Sequence, residues 1–150
     1  MNGRSIGREA VRYAPTRRRQ RQPFVAYREV GLPLDLIVRD VHVLARGAVR
    51  ALTIDDSLPL GLIQALRDLS RAIHGLSDRL GTEAEGSSVM SVALRAAYVA
   101  TELAAPGENL SLSVLIGYTQ ATAADVLRAL GVDRPRANAK VGYAAQAARA

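Results

Sequence analysis

Residues 58–81, LPLGLIQALRDLSRAIHGLSDRLG, carry the pattern that decides the fold. Leu62, Leu66, Leu69, Ile73, Leu76 and Leu80 recur in steps of four and three. That spacing brings each apolar side chain back to one side of an α-helix, and its a/d rhythm makes a seam for neighbouring helices. A strand would need period-two alternation, which no stretch of the chain supplies. Ser57 is placed to cap this helix, Pro59 to sit in its first turn and Gly81 to stop it.

The same rhythm returns downstream in Leu112, Ile116, Thr119, Ala123, Val126 and Leu130, widened by Leu115 and Leu127. This predicts a helix over about residues 110–130, with Asn109 as cap, Gly131 as stop and Pro135 preventing resumption. Upstream, Pro33 opens a helix over about 33–53 with a face of Leu34, Ile37, Val38, Val41, Leu44, Ala45, Ala48 and Leu52. Asp35 and Arg39 pair on its other side, Gly47 is a mild internal weakness, and Asp55-Asp56-Ser57 forms the following loop. Between these lies a helix capped by Ser87 or Ser88, or from Thr82, and running to about residue 105. Its face of Val89, Val92, Ala93, Ala96, Val99, Ala100 and Leu103 is small enough for a neighbour to approach closely. Residues 134–150 are Ala-rich and short, predicting a frayed helix at best.

The prediction is therefore an all-α chain: a basic N-terminal arm (1–30), an antiparallel four-helix bundle (31–133) and an Ala-rich tail (134–150). The first two and last two bundle helices could form two hairpins. One hundred and fifty residues, 49% hydrophobic and 4% aromatic, suit one domain with an aliphatic core. Absence of cysteine excludes disulfides, Cys-ligated zinc, iron–sulfur clusters and thiol chemistry. The N-terminus lacks the apolar run of a signal peptide, and no stretch of eighteen uncharged apolar residues suggests a transmembrane helix.

Charge is segregated. Residues 1–30 hold eight arginines and two glutamates, the entire net charge of +6, while the remainder is balanced. Such a leader is open to three readings: contact with nucleic-acid phosphates, contact with an anionic membrane surface, or a solvated arm. The membrane reading leads, with Arg12, Arg17, Arg18, Arg19 and Arg21 as contact residues and Tyr13, Phe24 and Tyr27 at the interface. The rest of the chain adds no basic face and no DNA-reading motif, so nucleic acid is the less favoured partner.

No residue pattern announces a reaction. His42 and His74 are too few for a zinc site, and read as surface or boundary residues. Di-iron bundles need inward Glu and Glu-x-x-His; no Glu-x-x-His occurs, and the first two bundle helices hold no Glu. Nucleotide-binding loops and hydrolase elbows are absent. Ser87-Ser88 suits helix capping better than nucleophilic catalysis. Tyr98 and Tyr118 could line a small aromatic-ligand pocket, although boundary tyrosines with wet hydroxyls are the favoured reading. The expectation is a non-enzymatic domain without cofactor or metal, with self-association left open.

Residues 8–19 (REAVRYAPTRRR) followed by 34–46 (LDLIVRDVHVLAR) resemble the C-terminal soluble region of FUSC-family membrane proteins, the fusaric-acid-resistance or aromatic-acid-exporter-like group. Leu58-Pro59, residues 66–69 (LRDL) and 73–76 (IHGL) are similar to that family's next helix, and residues 112–131 to its closing helix. The resemblance covers about residues 8–133. It implies a cytoplasmic helical domain at the inner face of a membrane, assisting or regulating an exporter of aromatic acids or related compounds. The family's membrane helices have no counterpart here, so the chain is expected to be either a piece of a longer exporter or a separate subunit. Under the positive-inside rule, Arg17, Arg18, Arg19 and Arg21 then mark a cytoplasmic membrane border.

Overall fold

The computed structural model describes residues 21–56, 58–80, 86–104 and 110–147. Among them are five α-helices and no strand: α1 (Arg21–Thr53), α2 (Leu60–Leu80), α3 (Ser87–Glu102), α4 (Leu110–Ala129) and α5 (Arg134–Ala147). The all-α prediction holds. Residues 1–20, Ser57 and Asn109 lie outside the described residues, and so do the capping roles expected of the latter two.

α4 is the centre. It packs against all four other helices, and α3 also packs against α2 and α5. Its pattern explains the position, because Leu112, Leu115, Ile116, Ala123, Val126 and Leu127 are all buried and lie around much of its circumference. Ala93, Ala96 and Ala100 of α3 are fully buried, as the small-residue face predicted; Ala97, outside that predicted face, is buried with them, and the four let α3 lie close to its neighbours. Fully burying each of Leu62, Leu76, Leu115 and Leu127 contributes about 1.5–3 kcal/mol.

Four expectations change. α1 begins at Arg21 rather than Pro33, so the proline sits inside the helix. Having no N–H, it cannot bond the carbonyl of Glu29, yet the ring is buried. Gly86, not Ser87 or Ser88, is the N-cap of α3 and makes no side-chain capping bond. The tail forms a fourteen-residue helix, α5. Asp133 caps it, accepting the Arg136 N–H at 3.0 Å on its side chain, and Pro135 falls in the first turn, where a missing N–H leaves no gap. Finally, α1 packs on α4 and not closely on α2, so the first two helices are not a hairpin.

The stop expected at Gly131 is found, while Gly81 lies outside the described residues. Gly131 has φ +88°, and the Val132 and Gly131 N–H groups bond the carbonyls of Leu127 and Arg128 at 3.1 and 2.9 Å. This is a Schellman closure with glycine in the left-handed position. α1 closes similarly through Asp55 at φ 56°, with the Asp56 N–H on the Ala51 carbonyl at 2.9 Å; a short polar side chain tolerates that conformation.

Gly47 is more than a weak point. A Cβ there would lie 3.0 Å from Leu115 Cδ2 of α4, so glycine permits the close approach of α1. Gly75 does the same for α2 against α3, where a Cβ would lie 2.9 Å from Val89 Cγ2.

Candidate functional site

The separation of α1 from α2 leaves a cleft with a volume of ≈ 340 Å³. Val41, Ala45 and Ala48 line it from α1, and Leu66, Ser70 and Ile73 from α2. Leu44 and Leu69 form its buried floor, and His74 lies at its edge. The helical seams explain why it is apolar. Of the α2 seam, Leu62, Leu69 and Leu76 are buried against other helices, whereas Leu66 and Ile73 are only half-buried and face the cleft. Ile37 and Leu44 of α1 are buried, but Val38, Val49 and Leu52 are 56%, 63% and 71% exposed. The apolar surface on α1 is thus wider than its single packed neighbour covers, which continues the cleft lining along the helix.

Cations flank this surface. Arg39, Arg46 and Arg50 repeat at steps of seven and four and are exposed along α1, beside the Val38–Leu52 row. On α2, Arg67 and His74 are exposed next to the half-buried Leu66 and Ile73. His74 Nδ1 lies 2.8 Å from the Ser70 carbonyl. Arg39 pairs with Asp40 at 3.2 Å; Arg46, Arg50 and Arg67 have no ion pair among the described residues.

Three aspartates are buried, which their exposed-looking sequence contexts did not suggest. Asp68 of α2 receives Arg95 of α3 through Nε at 2.8 Å and Nη2 at 3.2 Å, together with Arg71 and the Gln64 amide at 3.1 Å. The Arg95 hydrogen bond, aided by the Arg95 and Arg71 charges, outweighs burial and holds its carboxyl below the usual range. The same contact raises the Arg95 pKa. Asp125 of α4 is held by Arg128 at 2.6 Å, yet burial dominates and pushes its carboxyl up, with the nearby Asp40 charge adding to the rise. Asp40, although His42 and Arg46 close by on the same helix are exposed, is only 2% exposed. The one signal for Asp68 in the sequence was its Gln64 and Arg71 neighbours at helical spacing. All three carboxylates are engaged by arginines, an arrangement that suits structure.

Of the predicted contact residues, Arg12, Arg17, Arg18 and Arg19 lie outside the described residues, and Arg21 is the first residue of α1. Tyr98 and Tyr118 are half-buried on α3 and α4, and neither lines the cleft. The Tyr98 hydroxyl donates to Glu102, one turn along its own helix, and the carboxylate raises its pKa. His42 and His74 are both exposed, as expected. Among the described residues no group of three or more His, Asp or Glu side chains is placed to hold a metal ion. α4 is long and apolar enough to cross a membrane by length and composition, but most of it is buried inside the fold, as in a core helix.

No family model, curated protein or solved structure matches the chain.

Proposed function

We propose that this chain is a non-catalytic helical interaction domain acting at the cytoplasmic face of a membrane, where it assists or regulates a transporter. The carrying observation is charge segregation: the whole net charge of +6 lies in residues 1–30, ahead of a neutral helical body. A cationic leader adheres to anionic lipid at about 1 kcal/mol per arginine near the surface. The FUSC-like pattern supports the same assignment and supplies the transporter. In this reading α1–α4 form an antiparallel bundle, with α5 an addition against α3 and α4.

The test is sedimentation with vesicles. The full chain should pellet with phosphatidylglycerol-containing vesicles at low salt, be released by raised salt, and fail to pellet with neutral vesicles. Removal of residues 1–20 should abolish pelleting while leaving helicity by circular dichroism unchanged. If the full chain stays in solution with anionic vesicles, the membrane reading falls. A salt-sensitive gel shift lost on the same truncation would instead favour the nucleic-acid reading of the Arg17–Arg21 cluster.

A further inference from the structure

We propose that the cleft between α1 and α2 is a docking groove for an acidic amphipathic helix supplied by a partner protein. This goes beyond the membrane reading and needs none of residues 1–20.

Shape comes first. The lining is a recessed apolar crease between two helices, floored by buried Leu44 and Leu69. The exposed row from Val38 to Leu52 extends it over fourteen residue steps of α1, or about 21 Å at 1.5 Å per residue. A helix presenting apolar side chains at i, i+3, i+7 and i+11 matches that length, and helix-in-groove recognition uses such anchors.

Charge then selects the occupant. Arg39, Arg46 and Arg50 flank the row on α1, and Arg67 stands on the α2 side. Among the described side chains of these helices, the exposed acids are Asp35, before the Val38–Leu52 row, and Asp78, near the C-terminal end of α2. Complementarity therefore calls for carboxylates beside the apolar row of the incoming helix. The same signs oppose the nearer alternatives. Residues 1–20 bring six arginines and one glutamate, and a second copy facing this surface would set arginine against arginine. A flat anionic bilayer would meet the arginines but leave the crease unfilled.

The experiment uses the full chain and a fluorescein-labelled synthetic helix of about 18 residues. The helix has leucines spaced three and four apart and glutamates on both flanks; a second version carries lysines instead. Fluorescence anisotropy should show the glutamate helix binding at least about tenfold tighter than the lysine helix, a 1.4 kcal/mol preference. Arg46→Glu with Arg50→Glu should weaken it at least about tenfold, and so should Ser70→Trp, which fills the crease from an exposed position. Arg134→Glu with Arg136→Glu, on α5, should leave binding unchanged. Circular dichroism checks each variant, and Arg67→Glu replaces the double variant if that one loses helicity. The inference is overturned if the glutamate helix does not bind, if the lysine helix binds equally well, or if Ser70→Trp has no effect. It is equally overturned if the arginine variants lose only phosphatidylglycerol vesicles. Because deletion of residues 1–20 should not affect peptide binding, failure here is distinct from failure of vesicle binding by the leader.

Discussion

The α2–α3 and α1–α4 interfaces are built from the same parts yet held differently. Each has a glycine that admits the neighbouring helix, Gly75 against Val89 and Gly47 against Leu115, and each buries aspartate. Across α2–α3 the charge partner comes from the opposite helix, since Arg95 reaches Asp68 from twenty-seven positions away in sequence. Across α1–α4 each carboxylate takes its arginine from its own helix, Arg39 for Asp40 and Arg128 for Asp125. One interface is therefore pinned by a charged contact and the other rests on apolar packing, where burial, with the Asp40 charge adding to it, raises the cost of ionising Asp125. The pinned pair has little freedom to separate, whereas α1, packed closely on α4 and not on α2, leaves the cleft open on its other side.

The largest expected effect is at Asp68. Asp68→Ala removes the shared acceptor of Arg95, Arg71 and Gln64; because both guanidiniums are more than half exposed and can turn to water, the loss of unfolding free energy in urea titrations should be about 2 kcal/mol. A loss no greater than that of Asp125→Asn would break the contrast between the interfaces. Next comes glycine replacement. Gly75→Ala places a methyl 2.9 Å from a β-branched side chain and should cost about 1–2 kcal/mol despite the helical gain. Gly47→Ala meets the end of a leucine at 3.0 Å and should cost less. Gly117→Ala on the outer side of α4, with nothing within 4 Å, should add about 0.5–1 kcal/mol, isolating propensity from packing.

The smallest effects separate the two carboxylates by pH. Asp68 is held below the ordinary range near 3.9, so its stabilisation is present above that value and lost as pH falls through its depressed pKa. Asp125 is held above it, so its contribution is full below about 3.9 and lost as pH rises through the raised pKa. Asp68→Asn should therefore destabilise at pH 7 and progressively less in acid. Asp125→Asn should be neutral or stabilising by up to about 1 kcal/mol at pH 7, with the gain vanishing near pH 3. Denaturant midpoints at both pH values read the two signs.

Much of this was legible in the chain. Leu62, Leu69 and Leu76, the alanine face of α3, the apolar girth of α4 and the Gly131 stop were each readable from residue spacing, because helical periodicity and left-handed caps are local properties. Pro33 and Pro135 misled in opposite directions, since a proline reports only a missing N–H and a fixed φ. At Pro33 the chain stays helical through the gap, and at Pro135 the first turn needs no bond there. Of the candidate site, His42 and His74 were placed correctly on the surface. The cleft was not foreseen, because Val38, Val41 and Leu66 look like core residues until the neighbour of α1 is known.

The sequence by itself determined the all-helical class, the apolar stripes and the concentration of cations at the N-terminus, each a matter of residue type and spacing. Tertiary structure alone decided that α1 lies on α4 rather than α2, that Asp40, Asp68 and Asp125 are buried, and that an apolar crease stays open beside Arg46, Arg50 and Arg67. The reason is geometric. A stripe states that a helix has a face to cover, but which helix covers it depends on close approach at single residues such as Gly47 and Gly75, and on an ion pair formed across twenty-seven positions.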